Sequence, residues 1–207
     1  MKVLVASSNL GKVKEIGEIL KKIDKKIQIT SMKDIFDEVP DIPENARTFT
    51  GNALAKANWL AKRSGGQWVL ADDSGLVVDS LKGNPGVRSA RYAGEPKDDK
   101  KNIEKLLGEM QKFTEEGQRG AHFCCAMALV SPDNEKSFAA IGKCKGKIAF
   151  EEKGDGGFGY DPIFIPNGYD KTFAELPSSV KNKISHRAKA LEILSEIFED
   201  ILNGGDV

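Results

Sequence analysis

Apolar residues along the chain form two patterns. Short continuous apolar segments alternate with segments in which apolar residues recur at helical spacing. The apolar run 2–6 predicts a strand, and after the polar turn 7–11 apolar residues recur at helical spacing through 12–20. The same criteria predict the other elements, which are strands at 27–30, 68–71, 76–78, 121–131, 136–144 and 163–165 and helices at 50–63, 97–113 and 185–202. This alternation predicts an α/β fold, and we find no repeat or linker that would divide residues 1–207 into independent domains.

The length and charge of the chain limit the classes of protein to which it can belong. Its 207 residues are enough to bury a sizeable core. Lys and Arg together number 31, as do Asp and Glu, so the formal net charge is zero. A neutral chain lacks the general basic field with which proteins bind long nucleic acids, although a local cluster can still bind one small anion. We therefore expect no nucleic-acid partner.

The sequence contains no membrane or secretion signal that we can identify. No apolar run approaches the length of a membrane span, and the apolar start 3–6 is too short for a signal peptide. The cysteines number three, and two of them, Cys124 and Cys125, are adjacent in an apolar run. We therefore expect a cytoplasmic protein with reduced, buried cysteines and no membrane partner. A catalytic pair of a cysteine with His122 or His186 is an alternative that residue types alone allow.

The polar turn between the first strand and the first helix is a candidate phosphate site. A helix N-terminus presents free backbone N–H groups and a partial positive charge. Asn9 can donate its side-chain amide there, and Lys12 adds an ammonium group. The turn lacks the Gly-Lys-Ser/Thr ending of a P-loop, so a kinase or NTPase of that class is not supported. An ordinary capped helix with a solvated Lys12 would give the same local pattern.

Two adjacent aspartates follow the apolar run 68–71. Asp72 and Asp73 precede Ser74-Gly75, a predicted turn at a strand end, where α/β folds place ligand sites. Carboxylates in such a position suit Mg²⁺. Because successive strand residues point to opposite faces, we expect the two aspartates to have different roles. An Asx-type turn with solvated acids is the alternative that this segment leaves open.

Two further charged residues carry only weak local signals. Glu44 lies in the polar loop before the alanine-rich helix, where a glutamate is usually solvated. Lys56 lies within that helix, where a surface lysine with its stem on apolar neighbours is the default. Local sequence alone therefore distinguishes neither residue as functional.

The glycine-rich segment 154–161 and the start of the last helix are candidates for binding a nucleobase. The segment has four glycines, which permit close backbone approach, and the aromatic residues Phe158 and Tyr160, which offer a ring face to a base. A flexible loop would have a similar composition. Ser185 is a suitable N-cap, whereas His186 and Arg187 in a first turn oppose the helix dipole and need acceptors elsewhere, such as a substrate oxygen. Surface side chains are the alternative for this pair.

Taken in order, these segments resemble the inosine triphosphate pyrophosphatase family, also called the non-canonical purine NTP pyrophosphatases or dITP/XTP diphosphatases. The resemblance spans nearly the whole chain, and six collinear motifs make it far more specific than any one motif. The matching segments are Ser7-Ser8-Asn9-Leu10-Gly11-Lys12-Val13-Lys14-Glu15; Thr48-Phe49 with Asn52-Ala53 and Lys56-Ala57; Ala71-Asp72-Asp73-Ser74-Gly75-Leu76; Pro85-Gly86-Val87 with Ser89-Ala90-Arg91-Tyr92; Gly156-Gly157-Phe158-Gly159-Tyr160-Asp161-Pro162-Ile163-Phe164; and Ser185-His186-Arg187.

The resemblance implies an activity and an architecture. It implies a hydrolase that converts ITP, dITP and XTP to the monophosphate and pyrophosphate by water attack at the α-phosphorus, and so removes deaminated purines from the nucleotide pool. It also implies Mg²⁺, a homodimer, and an elongated central mixed β-sheet flanked by helices, with an active-site cleft between two lobes. The alternatives are a pyrophosphatase for other modified nucleotides and a non-catalytic nucleotide-binding protein.

The resemblance also implies roles for individual residues. Asp73 is the base that activates water and a metal contact, Glu44 is a metal ligand, and Asp72 lies nearby as a further metal candidate. The implied contacts to the triphosphate are Ser7, Ser8, Asn9, Leu10, Gly11 and Lys12, with Lys56 as a phosphate neighbour and Ser74 as a substrate contact. The implied nucleobase contacts are Phe158, Gly159, Tyr160, Asp161, Lys181, His186 and Arg187.

The chain departs from the family pattern at one position. Members of the family often have Glu-Asn-Ala before the Lys-Ala helix, whereas this chain has Gly51-Asn52-Ala53. Any contact that this glutamate makes to metal or water is absent here, which leaves Glu44, Asp72 and Asp73 to form the acidic site.

Overall fold

The computed structural model describes residues 1–40 and 42–205 and shows a mixed α/β protein whose six-stranded sheet is flanked by helices. The strands are β1 (Lys2–Val5), β2 (Gln28–Ser31), β3 (Trp68–Val78), β4 (Gly120–Val130), β5 (Ser137–Ile148) and β6 (Phe164–Pro166). The helices are α1 (Leu10–Ile23), α2 (Phe49–Ala61), α3 (Asp99–Met110), α4 (Ser178–Ile184) and α5 (His186–Leu202). The predicted α/β class with a mixed sheet and flanking helices is confirmed. The elongated form of the sheet and the cleft between two lobes stay predictions.

The order of the strands in the sheet is β2-β1-β3-β4-β5-β6. Strand β1 is parallel to both β2 and β3, and its last residue Val5 lies opposite Leu70 of β3. Strands β5 and β6 are antiparallel, so the sheet is mixed. The pairing of β1 with β3 continues through a hydrogen bond from Ala6 N to Leu70 O at 2.8 Å. The chain therefore leaves β1 for α1 alongside the part of β3 that carries Asp72.

The chain forms two compact units, each built from more than one segment. The first contains the described residues of 1–73, 125–142 and 186–205. In it, Val3 and Val5 of β1 pack with residues of α1 and α5, whereas Leu4 between them packs with residues of α2. Burial of both faces explains why residues 3–5 of β1 are all apolar. The single domain predicted over residues 1–207 stays a prediction.

The second unit contains residues 74–124 and 143–185 and has its own core. Three aromatic side chains form its centre: the ring centroids of Phe123 and Phe164 are 4.7 Å apart, and those of Phe164 and Phe173 are 5.3 Å apart. Ile103 and Leu106 of α3 belong to the same core cluster. The helical spacing in 97–113 predicted this helix, and the apolar residues Ile103 and Leu106 that follow that spacing are buried.

Three sequence predictions about local structure need correction. The predicted turn at 72–75 is wrong, because β3 continues without interruption from Trp68 to Val78. The short helix α4 was not predicted, and α5 begins at His186. Helix α1 begins two residues earlier than predicted, since Asn9 caps it and accepts a hydrogen bond from Lys12 N at 3.2 Å.

The start of α5 lies directly on the backbone of β5. A Cβ atom added to Gly142 would overlap the backbone carbonyl oxygen of His186 and the backbone nitrogen of Ala190. No side chain fits at this position, so glycine is required by the close approach of two backbones. This contact sets the depth at which the first turn of α5 lies.

The predicted burial of the three thiols is confirmed: Cys124, Cys125 and Cys144 are all buried. None of the described helices is long and apolar enough to cross a membrane.

Candidate active site

Asp72 is the centre of a buried charge cluster in the first unit. Its carboxylate Oδ2 lies 3.0 Å from Nζ of Lys12 in the first turn of α1 and 3.4 Å from Nε of Arg187 in the first turn of α5. Burial alone would raise the pKa of Asp72, but Lys12, Arg187 and Lys56 together hold that pKa well below its ordinary value of 3.8. Asp72 is therefore a permanent anion that organises the cations around it.

Arg187 connects this cluster to a second carboxylate. Its Nη1 donates to Oε2 of Glu15 at 3.0 Å, and both side chains are buried. His186, the preceding residue, is also buried. The alternative of surface side chains at the start of α5 is therefore wrong, and the acceptors that Arg187 needed are two carboxylates of this protein.

Lys56 is buried as well, so the default of a surface lysine is wrong. Its Nζ donates to Oε1 of Glu44 at 2.5 Å and to the backbone carbonyl oxygen of Asp72 at 2.5 Å. Burial alone would lower the pKa of Lys56, but Asp72 and Glu44 raise it overall. Lys56 therefore keeps its positive charge inside the protein, next to the backbone that joins the two aspartates.

Asp73 has different partners from Asp72, as the alternation of strand side chains predicts. Its Oδ2 accepts a hydrogen bond from Nδ2 of Asn52 at 2.9 Å. Burial raises the pKa of Asp73 overall; Lys56 and the Asn52 hydrogen bond oppose this rise, and the nearby carboxylate of Glu44 adds to it. A carboxylate with raised proton affinity is suited to accept a proton, which Asp72 is not.

Asn52 is a residue that sequence reasoning missed as part of the site. It is 2% exposed, and its Oδ1 accepts from Ala46 N at 2.8 Å while its amide donates to Asp73. The signal that would have revealed it is the spacing of Asn52 and Lys56, two polar residues one turn apart on the buried face of an alanine-rich helix. Glu15 is a second such residue, one turn after Lys12.

The turn after β1 is more exposed than the aspartates. Ser8, Asn9 and Leu10 are exposed, and Ser7 is half-buried with its Oγ accepting from Asn9 N at 3.2 Å. The pairing of β1 with β3 brings the chain into this turn beside Asp72, and Lys12 reaches Asp72 from its first helical turn. An open helix N-terminus next to buried cations is a suitable place for phosphate groups.

In the second unit, the glycine-rich loop 154–160 is organised by Asp161. This residue is 2% exposed, and its Oδ2 accepts from Phe158 N at 2.8 Å and from Nζ of Lys181 at 2.5 Å. The same ammonium lies 4.6 Å from the centroid of the Phe158 ring. Gly157 has a φ of +75°, and a Cβ there would overlap the Asp161 carboxylate, so only glycine fits. Phe158, Asp161 and Lys181 are therefore brought together.

Two further hydrogen bonds fasten this loop. The hydroxyl of Tyr160, which is 5% exposed, donates to the backbone carbonyl oxygen of Ser89 at 2.8 Å. Gly159 N donates to Oδ2 of Asp99 at 2.8 Å. Sequence reasoning did not identify Asp99, because it lies 60 residues from its partner and its local sequence is an ordinary charged helix start. Ser74, the other residue expected to contact substrate in this unit, is half-buried in β3.

Glu44 and Asp73 form the donor set that best fits a divalent cation. Among residues 1–40 and 42–205, no group of three or more His, Cys, Asp or Glu side chains is arranged to hold a metal ion. Mg²⁺, however, is often held by one or two carboxylates together with substrate phosphates. Burial is the main cause of the raised pKa of Asp73, and the carboxylate of Glu44 adds to it, a repulsion that a bound cation would relieve. Asp72 instead has Oδ2 engaged by Lys12 and Arg187.

The chain is similar to proteins of one family over most of its length. The model of the Ham1 family matches residues 3–197. A Bacillus subtilis protein named dITP/XTP pyrophosphatase is 50% identical over 197 residues, which cover 95% of this chain and 96% of the relative. A protein of the same name from Oceanobacillus iheyensis is 47% identical over 195 residues, covering 94% and 96%. The solved structure of the Staphylococcus aureus Ham1 protein is 38% identical, with a TM-score of 0.82 and coverage of 97% and 100%.

Proposed function

Because the chain belongs to the Ham1 family, we propose that it hydrolyses the non-canonical purine triphosphates ITP, dITP and XTP to the monophosphate and pyrophosphate. The resemblance to inosine triphosphate pyrophosphatases agrees with the relatives named dITP/XTP pyrophosphatase. The observation that carries the proposal is the pair of adjacent aspartates with opposite pKa shifts, surrounded by Lys12, Lys56 and Arg187. One aspartate assembles the cations, and the other is suited to be a base.

Asp73 has the properties that water attack on a phosphorus requires of a general base. Its raised pKa strengthens it as a proton acceptor, and its hydrogen bond from Asn52 fixes one carboxylate oxygen. The other oxygen can orient a water molecule toward the α-phosphorus and take its proton. The expelled pyrophosphate carries negative charge, which Lys12 and Lys56 can stabilise from fixed positions.

Glu44 and Asp73 would hold Mg²⁺, which supplies positive charge to the phosphate oxygens when it is bound. Lys56 keeps Glu44 in place through its 2.5 Å hydrogen bond. The residues of the first turn, Ser7 to Lys12, would contact the triphosphate through backbone N–H groups and the Lys12 ammonium.

Selectivity for the base would come from hydrogen-bond donors. Hypoxanthine and xanthine carry a 6-oxo acceptor where adenine carries a 6-amino donor. Lys181 donates to Asp161 and lies over the ring of Phe158, so an ammonium and an aromatic face are presented together. A donor that meets the 6-amino group of ATP is left unpaired, and unpaired buried polar groups give large selectivity. His186 is a further predicted donor, whereas Arg187, the other predicted donor, pairs with Glu15 and Asp72 in this structure.

The experiment is a panel of triphosphates with the products identified. We expect ITP, dITP and XTP to give the monophosphate and pyrophosphate in the presence of Mg²⁺, with ATP much slower. Release of orthophosphate as the first product would contradict attack at the α-phosphorus. Consumption of another modified nucleotide in preference to these would indicate a different pyrophosphatase, and no consumption of any triphosphate would indicate a binding protein.

We also propose that the enzyme depends on Mg²⁺ and acts as a cytoplasmic homodimer with no nucleic-acid partner. The two-carboxylate donor set supports the metal, and the net charge of zero supports the absence of a nucleic-acid partner. Light scattering coupled to size-exclusion chromatography measures the mass of the particle, and addition of EDTA should abolish turnover.

A further inference from the structure

The loop that carries Glu44 is folded back onto the first turn of α2. Oγ1 of Thr48 accepts from Gly51 N at 3.1 Å and caps the helix. Oδ1 of Asn52 accepts from Ala46 N at 2.8 Å, which fixes the backbone two residues after Glu44. The position of Glu44 therefore depends on how closely residues 44–48 lie against α2.

Gly51 is the residue that allows this close approach. A Cβ atom at position 51 would lie 2.8 Å from Cβ of Ala46 and 3.0 Å from Oγ1 of Thr48. The first distance is well inside the 3.5–4.0 Å at which non-bonded carbon atoms are in favourable contact, and the second is also shorter than an ordinary contact. Gly51 lies within a helix, where glycine is the least favourable residue after proline. Packing against Ala46, and not backbone conformation, therefore explains the glycine.

We propose that Gly51 is a positioning residue, which lets residues 44–48 lie against α2 so that Glu44 reaches Lys56 and Asn52 reaches Asp73. This inference rests on the proposed function for the metal-binding role of Glu44. The chain has no side chain at position 51, and Ala46 occupies the space that one would fill. The absence of a side chain at Gly51 thus makes room for the methyl group of Ala46.

The test is to add one methyl group at position 51 and then to remove one at position 46. In Gly51→Ala, the loop must move away from α2, and we expect Mn²⁺, used as a spectroscopic substitute for Mg²⁺ and added alone, to bind about tenfold more weakly by electron paramagnetic resonance. The Mg²⁺ concentration for half-maximal hydrolysis of ITP should rise by a similar factor.

The double variant Ala46→Gly/Gly51→Ala should restore both values, because the Ala46 methyl group that blocks the new side chain is gone. Gly17→Ala is the matched control. Gly17 is also a helical glycine, in α1, but a Cβ there meets its nearest neighbour, Cγ1 of Ile29, at an ordinary 3.7 Å. It should leave Mn²⁺ binding and turnover unchanged.

Several outcomes overturn the inference. It fails if Gly51→Ala binds Mn²⁺ as the parent does, if Ala46→Gly does not restore binding, or if the parent binds no Mn²⁺. Because Mn²⁺ binding is measured without nucleotide, the result is independent of the substrate. In one further outcome, the parent hydrolyses no triphosphate while Mn²⁺ binding is weakened in Gly51→Ala and restored in the double variant. That result would refute the proposed function and leave the positioning role of Gly51 intact.

Discussion

The Asp72 cluster and the glycine-rich loop are held in place by different kinds of contact. Asp72 is fixed by charged side chains from distant parts of the chain, and the ion pair of Glu15 with Arg187 spans 172 residues. The loop 154–160 is fixed mainly through its own backbone, whose N–H groups donate to Asp161 and Asp99. The first region therefore depends on the presence of charge, and the second on backbone conformation. Substitutions that remove charge should therefore disturb the first region, and substitutions that alter the backbone should disturb the second.

The largest effect should come from the base in the charged region. Asp73→Asn keeps the shape and a possible hydrogen bond to Asn52 but cannot accept a proton from water. We expect kcat for ITP to fall about a thousandfold. Nucleotide binding, measured by calorimetry with the variant itself, should persist. A near-normal kcat in this variant would show that Asp73 is not the base.

Loss of one buried cation should be the largest effect on stability. Arg187→Met fills a similar volume but leaves Glu15 and Asp72 without this partner, and we expect the free energy of unfolding to fall by about 3–5 kcal/mol. Lys189→Met, an exposed position on the same helix, is the control and should change little. Urea unfolding measures both. Equal stability of the two variants would show that the cluster is not held by charge.

A methyl group in the glycine-rich loop should affect binding of the base. Gly157→Ala forces a side chain into the Asp161 carboxylate, and we expect KM for ITP to rise about tenfold, equivalent to about 1.4 kcal/mol. Inhibition by inorganic tripolyphosphate, which has no base, should not change. Gly159→Ala is the control, because its φ of +59° imposes similar strain but no atom lies near the added Cβ. If both variants behave alike, backbone strain and not displacement of Asp161 is the cause.

The smallest effect concerns pH. The pKa of Asp72 is lowered in the folded protein, so its contribution to stability is complete above the pKa of about 4 of an unfolded aspartate and declines as the pH falls below it. We expect the difference in unfolding free energy between the parent and Asp72→Asn to narrow by about 1.4 kcal/mol per pH unit below about pH 4. Urea unfolding of both proteins between pH 3 and 7 tests this. A constant difference would mean that the pKa of Asp72 is the same in the folded and unfolded protein.

The sequence predicted best what depends on neighbouring residues. The run 2–6, the turn after it and the start of α1 follow from hydrophobic spacing and the Asn9 cap, and the structure has them almost as predicted. The face of α3 that is buried follows from the same kind of signal.

What the sequence could not predict depends on partners far along the chain. Asp72 and Asp73 looked like a turn because two acids before Ser-Gly favour one, yet in the fold they lie within β3, where Lys12 and Arg187 neutralise Asp72. Lys56 was expected at the surface because its carboxylate partner, Glu44, lies 12 residues earlier in the chain and is not evident from the helix alone. Before the structure, only the resemblance to a known family grouped these residues together.

Gly142 has a consequence for how the chain folds. Its neighbours in β5 are Ile141 and Lys143, and a strand that paired one residue out of register would place one of these side chains where the backbone of α5 must lie. A misaligned strand could then not accept the helix at all. Gly142 therefore makes assembly depend on register, because α5, which is synthesised after every strand of the sheet, can dock only on a sheet that has aligned correctly.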